Sequence, residues 1–259
     1  DGAFTYDGGS GTNSIVANAN TDWTLLAGAL VGGTDDRLEL LNVGDATLFG
    51  GASGNIINVN GWDGTVTIDG DAGSDQLSVY SESTMVVTVL DKAGSADQLT
   101  IYGTNGEDVV TVDLNQVLAG NTTVNYTGAI ERLRIAGQAG DDELNVFDAS
   151  ALTVQLDGAQ GSDEYSILNG TSKTLVNISD SSPPSLITTQ GLQGDIDTLI
   201  LPRDTVGKVD VEFTSGSKKI FFDQTIESFD SNTAAPILRI TGQGSVLEGS
   251  LYSLELSAT

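Results

Sequence analysis

The chain contains neither cysteine nor histidine among its 259 residues. Zinc sites built on these side chains, thiol nucleophiles and Ser-His-Asp triads are therefore excluded. The sequence also lacks an apolar run of the roughly 20 residues that a helix needs to cross a bilayer. It begins at Asp1 without a signal-peptide pattern, and we expect it to be a processed piece of something longer.

Positive charge is scarce. The chain has 10 lysines and arginines against 36 aspartates and glutamates, which gives a formal net charge of −26. Such a surface repels nucleic acid and anionic lipid, so we expect neither nucleic-acid binding nor membrane insertion. It attracts cations, although a halophilic habitat would produce the same acidity. The 39% hydrophobic residues, arranged in strict patterns, argue against intrinsic disorder.

Proline occurs only four times, and helical periodicity is hard to find. The best helical candidate, residues 113–120, is at most a turn or two long. Glycine is abundant instead, with 32 residues, and it separates short alternating segments rich in threonine, valine and isoleucine. This composition favours short strands joined by tight turns and predicts an all-β chain.

A short acidic phrase recurs along the chain. It consists of glycine, a few residues, aspartate, and then apolar residues at alternating positions. Its copies occupy residues 32–40, 73–79, 95–101, 106–112, 140–146, 161–167 and 194–201. The marker aspartate or asparagine falls at positions 36, 55, 75, 97, 142 and 163. The steps are about 20 residues, and the longer step from 97 to 142, which contains another copy at Asp108, is expected to span two coils.

Self-similarity at this period is typical of solenoids and repeat arrays. We therefore predict a right-handed parallel β-helix or β-solenoid with coils of about 20 residues, in which each coil pairs with the coils above and below it. Residues 133–167 carry the pattern most clearly. The side chains expected to point inward there are Leu133, Ile135, Leu144, Val146, Leu152, Val154, Leu156, Tyr165 and Ile167.

Three segments are predicted. Residues 1–178 form the solenoid repeats, residues 179–235 form irregular terminal coils or a β cap, and residues 236–259 contain a linker and an alternating strand. Terminal repeats of solenoids are atypical because they cap an open apolar face. The last strand, residues 251–256, needs a partner sheet, so it is either the start of a truncated module or a strand exchanged with a neighbouring subunit.

The repeats resemble the Gly/Asp-rich, hemolysin-type (RTX-like) arrays of giant secreted bacterial surface proteins of the planctomycete type. Residues 69–77 and 124–146 carry the likeness, which covers about residues 8–200. That family repeats a unit of about nine residues and binds calcium between turns. Here the period is longer and the first glycine is often replaced, so the resemblance implies scattered calcium sites. The tail, residues 244–259, resembles the first strand of PKD, cadherin-like or immunoglobulin-like modules.

Carboxylates gather at the turns, where calcium finds the oxygen ligands that it prefers. Asp69, Asp71 and Asp75 form the best single candidate site. The twelfth position counted from Asp69 is Tyr80 rather than glutamate, so this group is not an EF-hand. The other candidate ligands are Asp35, Asp36, Asp97, Asp141, Asp142, Asp157, Asp163, Asp195 and Asp197. Asp91 and Asp97 form one of these carboxylate clusters. The alternative interpretation is that aspartate and glycine simply suit turns between strands.

These features predict a non-catalytic, secreted bacterial protein that serves as a subunit or module of a surface layer, adhesin stalk or fibre. It would associate with itself head to tail, with calcium screening its acidic loops and the last strand completing a sheet in the next subunit. Other surface proteins and glycans are further candidate partners. Two alternatives stay open: a polysaccharide-active β-helix enzyme that works with paired carboxylates, and a calcium-dependent domain that adheres to glycans or a host surface without polymerising.

Overall fold

The computed structural model describes residues 4–33, 36–94, 96–127, 130–149, 153–161 and 163–167, and the backbone of five further strands between residues 175 and 242. All regular structure in this part of the chain is β-strand, which confirms the predicted all-β class. The described residues include no helix with the length and apolar character needed to cross a membrane.

The described residues form twenty-four strands. The first twelve are β1 (Phe4–Asp7), β2 (Ser14–Asn18), β3 (Trp23–Leu26), β4 (Ala29–Gly32), β5 (Asp36–Leu41), β6 (Asp45–Gly51), β7 (Ile56–Asn60), β8 (Gly64–Gly73), β9 (Gln76–Tyr80), β10 (Met85–Val89), β11 (Ala93–Gly94) and β12 (Gln98–Tyr102). The others are β13 (Val109–Asp113), β14 (Gln116–Ala119), β15 (Thr122–Tyr126), β16 (Arg132–Ala139), β17 (Glu143–Val146), β18 (Thr153–Gln160), β19 (Glu164–Ile167), β20 (Leu175–Asp180), β21 (Ile196–Ile200), β22 (Lys208–Phe213), β23 (Lys219–Phe222) and β24 (Ile237–Gly242).

The strands form two large sheets, and the chain alternates between them. Sheet A has the order β1-β5-β4-β3-β7-β9-β12-β16-β18-β20-β22-β24. Sheet B has the order β2-β6-β8-β10-β15-β14-β13-β17-β19-β21-β23, and the short strand β11 pairs with the end of β8. Neither sheet closes on itself: β1 and β24 are the outer strands of sheet A, and β2 and β23 are the outer strands of sheet B.

Most neighbouring strands are parallel, and many paired residues lie about 20 positions apart in the sequence. Ile56 of β7 pairs with Gln76 of β9, which pairs in turn with Gln98 of β12. In sheet B, Glu143 of β17 pairs with Glu164 of β19. Parallel neighbours cannot be joined by a tight hairpin, so the chain crosses to the other sheet before it returns.

Two antiparallel meanders interrupt this regularity. Strands β3, β4 and β5 form one in sheet A, and β13, β14 and β15 form the other in sheet B. The second meander corrects the expectation of two coils between Asp97 and Asp142. Gln98 of β12 pairs with Arg132 of β16, so one repeat enlarged by antiparallel strands, followed by half of the next repeat, separates the two aspartates. The predicted helical turn at residues 113–120 is wrong: these residues end β13, form a tight turn and continue as β14.

The core lies between the two sheets and consists of aliphatic side chains in register. One row in sheet A contains Leu25, Val59, Val79, Ile101, Ile135 and Leu156. One row in sheet B contains Ala46, Val66, Val87, Val124, Val117, Val112 and Val146. All of them are buried, because alternate residues of a strand face the same side of the sheet.

The side chains predicted to point inward between residues 133 and 167 are buried wherever the structure describes them. They are Leu133, Ile135, Leu144, Val146, Val154, Leu156 and Tyr165. The prediction is confirmed for these seven. Leu152 and the side chain of Ile167 lie outside the described part of the chain.

The later strands continue the same two sheets. Strands β20, β22 and β24 extend sheet A, while β21 and β23 extend sheet B. Strand β20 includes residues 179 and 180 and so continues across the predicted boundary after residue 178 without a change of sheet. The division into three segments stays a prediction, and the alternating segment 251–256 lies outside the described residues.

Glycine at the turns lets neighbouring repeats approach closely. Gly140 has a φ of +124°, and a Cβ atom there would lie 2.4 Å from the carbonyl carbon of Gly106. Gly120 also has a positive φ, +55°, but a Cβ atom there would meet nothing within 4 Å. The two positions therefore separate the steric requirement for glycine from the conformational one.

Gly140→Ala is expected to lower the free energy of unfolding by about 3 kcal/mol or more, because the methyl group pushes two turns apart and the backbone is strained. Gly120→Ala is the matched control and should cost about 1 kcal/mol, since only the left-handed conformation is penalised. Chemical denaturation followed by circular dichroism measures both values. Equal costs for the two substitutions would contradict the close stacking of the turns.

Candidate functional site

Buried carboxylates link the turns of successive repeats. Oδ1 of Asp75 accepts the backbone N–H of Asn55 at 2.7 Å, and Oδ1 of Asp97 accepts the backbone N–H of Asp75 at 2.7 Å. Oε2 of Glu131 accepts the N–H of Asp97 at 2.8 Å. We call Asn55, Asp75, Asp97 and Glu131 the Asp75 ladder. Each member immediately precedes a strand of sheet A, namely β7, β9, β12 or β16.

A second series lies at the entrance to sheet B. Oδ1 of Asp142 accepts the N–H of Asp108 at 2.9 Å, and Oδ1 of Asp163 accepts the N–H of Asp142 at 2.9 Å. We call Asp108, Asp142 and Asp163 the Asp142 ladder; they precede β13, β17 and β19. The aspartates of both ladders are at most 9% exposed. The recurring aspartate therefore joins one turn to the preceding one by a charge-assisted hydrogen bond.

A glycine five residues before most ladder aspartates makes room for the carboxylate. The pairs are Gly70 with Asp75, Gly103 with Asp108, Gly137 with Asp142 and Gly158 with Asp163. A Cβ atom at any of these glycines would lie between 2.0 and 2.7 Å from Oδ2 of the paired aspartate. The glycine and the aspartate of the phrase therefore act together: one leaves the space and the other fills it.

One turn carries an additional buried carboxylate. Carboxylate oxygens of Asp75, Asp91 and Asp97 lie within 4.8 Å of one another. The three residues are 0%, 2% and 0% exposed. Among the described residues, this is the only group of three or more acidic side chains close enough to share a metal ion. We call these three residues the Asp91 cluster.

The Asp91 cluster is electrostatically strained. Burial, followed by the charge of Asp97, raises the pKa of Asp91 to about 7. Burial also raises the pKa of Asp75, against the N–H of Asn55, which lowers it. The nearby ammonium of Lys92 pairs with Asp69 instead. Three carboxylates in a dry site cannot all stay ionised without a compensating charge, so the cluster favours binding either a proton or a cation.

The structure divides the predicted group of Asp69, Asp71 and Asp75. Asp75 belongs to the Asp91 cluster. Asp69 is buried and forms an ion pair with Lys92. Asp71 is exposed and has a positive φ of 68°.

The other predicted ligands are distributed over both ladders and the surface. Asp97 belongs to the Asp91 cluster, whereas Asp142 and Asp163 belong to the Asp142 ladder. Asp141 is exposed beside that ladder. Asp36 is exposed at the start of β5.

Asp157, another predicted ligand, forms an ion pair in the structure. Its Oδ2 pairs with a guanidinium nitrogen of Arg134 at 2.7 Å, and the residue is buried. Asp35 and Asp195 lie outside the described residues. For Asp197 only the backbone is described, within β21.

The sequence pattern places Asp91 in a carboxylate cluster with Asp97 but does not identify it as a metal ligand, and Glu131 has no predicted role. An alignment of two consecutive turns in the sequence shows that Asp91 is unusual. Residues 91–99 repeat the phrase of residues 70–77 with one insertion, and Asp91 stands where the earlier turn has Gly70. Glu131 also has a local signal, because Gly128 and the segment Glu131-Arg-Leu-Arg-Ile reproduce the recurring phrase with glutamate in place of aspartate.

Chemically, the ladders hold turns together, and the Asp91 cluster offers oxygen ligands to a hard cation. Comparisons of the chain with protein-family models, with curated proteins and with solved structures gave no match. We therefore infer function from the geometry and chemistry of the described residues.

Asp142→Asn is expected to flatten the pH dependence of stability measured in the presence of a chelator. Burial raises the pKa of Asp142 from 3.8 to about 6; the N–H of Asp108 opposes this shift, and the charges of Asp108 and Asp141 add to it. The folded protein keeps this proton to a higher pH than the unfolded chain does. Stability therefore falls as the pH rises from about 4 to about 7, by on the order of 3 kcal/mol from this group.

Urea unfolding at several pH values measures this effect. Asp63→Asn is the control, since it removes one exposed carboxylate and reports the general relief of charge repulsion. The stability of Asp142→Asn relative to the unchanged protein should rise with pH, while that of Asp63→Asn should change little. A pH profile of Asp142→Asn parallel to that of the unchanged protein would mean that Asp142 does not titrate as a buried acid.

Proposed function

We propose that the chain is a non-catalytic extracellular structural protein, a right-handed parallel β-solenoid that assembles head to tail into a fibre or surface array. The regular alternation between two sheets supports the solenoid, as do parallel partners about 20 residues apart. The right-handed sense is expected because connections between parallel strands of one sheet are almost always right-handed.

The assembly proposal rests on the outer strands at both ends of the two sheets. The N-terminal strands β1 and β2 are the outer strands at one end, and β24 and β23 are the outer strands at the other. Among the described residues, β1 pairs only with β5 and β2 only with β6. A second copy in the same orientation would continue both sheets with parallel pairing, and a contact of this head-to-tail kind that does not close produces a filament.

The N-terminal edge has few of the features that normally prevent such pairing. Natural edge strands are protected by lysine, proline, bulges or inward charges. Strands β1 and β2 contain a single charged residue, Asp7, and no proline. They also present large apolar side chains to solvent: Phe4 is 76% exposed and Val16 is 64% exposed. An edge of this composition favours the addition of a further strand.

The partner strand would come from the C-terminal part of a second copy. Strands β23 and β24 end the two sheets there, and the alternating segment 251–256 is a further candidate for strand addition. Because each copy carries a formal charge of −26, the junction between copies needs screening by cations. A surface layer or stalk outside a bacterial cell, with calcium as the screening ion and other surface proteins or glycans as neighbours, fits these requirements.

We predict that the purified protein forms filaments visible by negative-stain electron microscopy, and that the double substitution Phe4→Lys with Val16→Lys reduces them strongly. Both residues are exposed, so the fold of the monomer should survive. The added charges oppose pairing at the edge in the way that natural edge lysines do. Val109→Lys is the matched control, because Val109 is 55% exposed but lies on β13 in the interior of sheet B.

Sedimentation velocity measures the same assemblies in solution. The double variant should sediment as a monomer, while Val109→Lys should polymerise like the unchanged protein. Deletion of residues 245–259 tests the contribution of the terminal segment. Monodisperse monomers of the unchanged protein at every concentration and calcium level would contradict the proposed assembly.

A further inference from the structure

The Asp91 cluster contains buried oxygens that receive no hydrogen bond. Both oxygens of Asp91, Oδ2 of Asp75 and Oδ2 of Asp97 have no donor among the described residues. The remaining oxygens of Asp75 and Asp97 accept the N–H groups of the Asp75 ladder. Acceptors and charges left unpaired in a dry interior are costly, so a ligand that satisfies them would stabilise the fold.

The position of Asp91 explains why its carboxylate points into the ladder. Ile68 pairs with Val89 and Ala72 pairs with Ala93, so Asp91 stands opposite Gly70. A Cβ atom at Gly70 would lie 2.5 Å from Oδ2 of Asp75. A side chain at this position therefore points directly at the ladder carboxylate.

The turn is adapted to hold this extra side chain. The step from Asp91 to Asp97 is one residue longer than the step from Gly70 to Asp75. Ala96 lies within the longer turn and has a positive φ of 81°, which a non-glycine residue adopts at some cost. The added residue and the unusual backbone make room for a third carboxylate.

The Asp142 ladder shows that the hydrogen bond between turns does not need a third carboxylate. Its turns keep glycine at the corresponding positions, Gly103, Gly137 and Gly158. Among the described residues, no cluster of three acidic side chains forms there. Asp91 therefore adds negative charge beyond what the ladder requires, and it lies outside the recurring phrase.

We propose that Asp75, Asp91 and Asp97 together bind one calcium ion between two successive turns. All available ligand atoms are carboxylate oxygens, which hard divalent cations prefer. The three carboxylates converge within 4.8 Å of one another, which is close enough for one ion to contact all of them. Magnesium demands a near-ideal octahedron and gives up its water reluctantly, whereas calcium accepts flexible geometry, so calcium suits a buried site better.

The ion would act as a staple between two repeats. It would supply the positive charge that the four unpartnered oxygens lack, and it would hold the turn at Asp91 against the turn at Asp75. Binding needs only a single chain, so the site does not depend on filament formation, and each proposal can fail without the other.

The test uses the chain of residues 1–259, stripped of metal with a chelator and dialysed into about 150 mM NaCl, which screens surface charge. Titration with CaCl2 by calorimetry should give binding at one dominant site, and calcium should raise the melting temperature. Asp91→Asn should weaken binding by about tenfold or more, because affinity follows the number of charged ligands. Asp142→Asn is the matched control in the other ladder and should bind calcium like the unchanged protein.

The effect of Asp91→Asn on stability should change sign between chelator and calcium, and this reversal makes the test specific. In the presence of chelator, Asp91→Asn should be at least as stable as the unchanged protein, because it removes an unpaired buried charge. With saturating calcium it should be less stable. Asp97→Asn keeps an oxygen acceptor for the N–H of Asp75 and should also bind calcium more weakly. This second variant shows whether the loss in Asp91→Asn is merely a local effect of that substitution.

Three results would overturn the proposal. One is a melting temperature of the unchanged protein that calcium does not alter. Another is an equal response to MgCl2, or to NaCl of matched ionic strength, which would indicate general screening of the acidic surface. The third is unchanged calcium affinity in both Asp91→Asn and Asp97→Asn.

Discussion

The hydrogen bond from a backbone N–H of one turn to a buried carboxylate of the next sets the spacing of this molecule. At Asp75 and Asp142 it fixes which residue of one repeat stands beside which residue of the next. Register matters here because a slip by one residue would turn every inward side chain outward. The glycines before the ladder aspartates serve the same bond, since any Cβ atom there would collide with the carboxylate.

The same interaction brings acidic groups into the interior of a protein whose surface is already strongly acidic. The bonds between turns satisfy one oxygen each of Asp75, Asp97, Asp142 and Asp163, and in the Asp91 cluster the remaining oxygens lie close together. A cation bound there and cations collected where copies meet would reduce repulsion in the same way. The proposed calcium site and the proposed assembly therefore share one physical origin, although they involve different parts of the chain.

Much of the fold could be predicted because burying one face of a strand imposes a period of two. The inward positions of Ile135 and Leu156 followed from that alternation. The meander β13–β15 was predictable only in part: Gly120-Asn121, between β14 and β15, is a dipeptide typical of a two-residue hairpin, whereas Leu114-Asn115, between β13 and β14, has no glycine to mark the turn. The marker aspartates were found, but a sequence does not show whether a carboxylate meets a cation or the N–H of another turn. A comparison of turns in the sequence aligns Asp91 with Gly70, but only the register shows that its carboxylate lies beside those of Asp75 and Asp97.

Amide hydrogen exchange followed by NMR tests the central role of the ladders most directly. The account predicts that the amides of Asn55, Asp75, Asp108 and Asp142, although they lie in turns, exchange as slowly as the amides within β9 and β17, because buried carboxylates hold them. The amide of Asn121, in an exposed turn, supplies the fast reference. Exchange of the four ladder amides at the rate of Asn121 would contradict the claim that these bonds hold the repeats together.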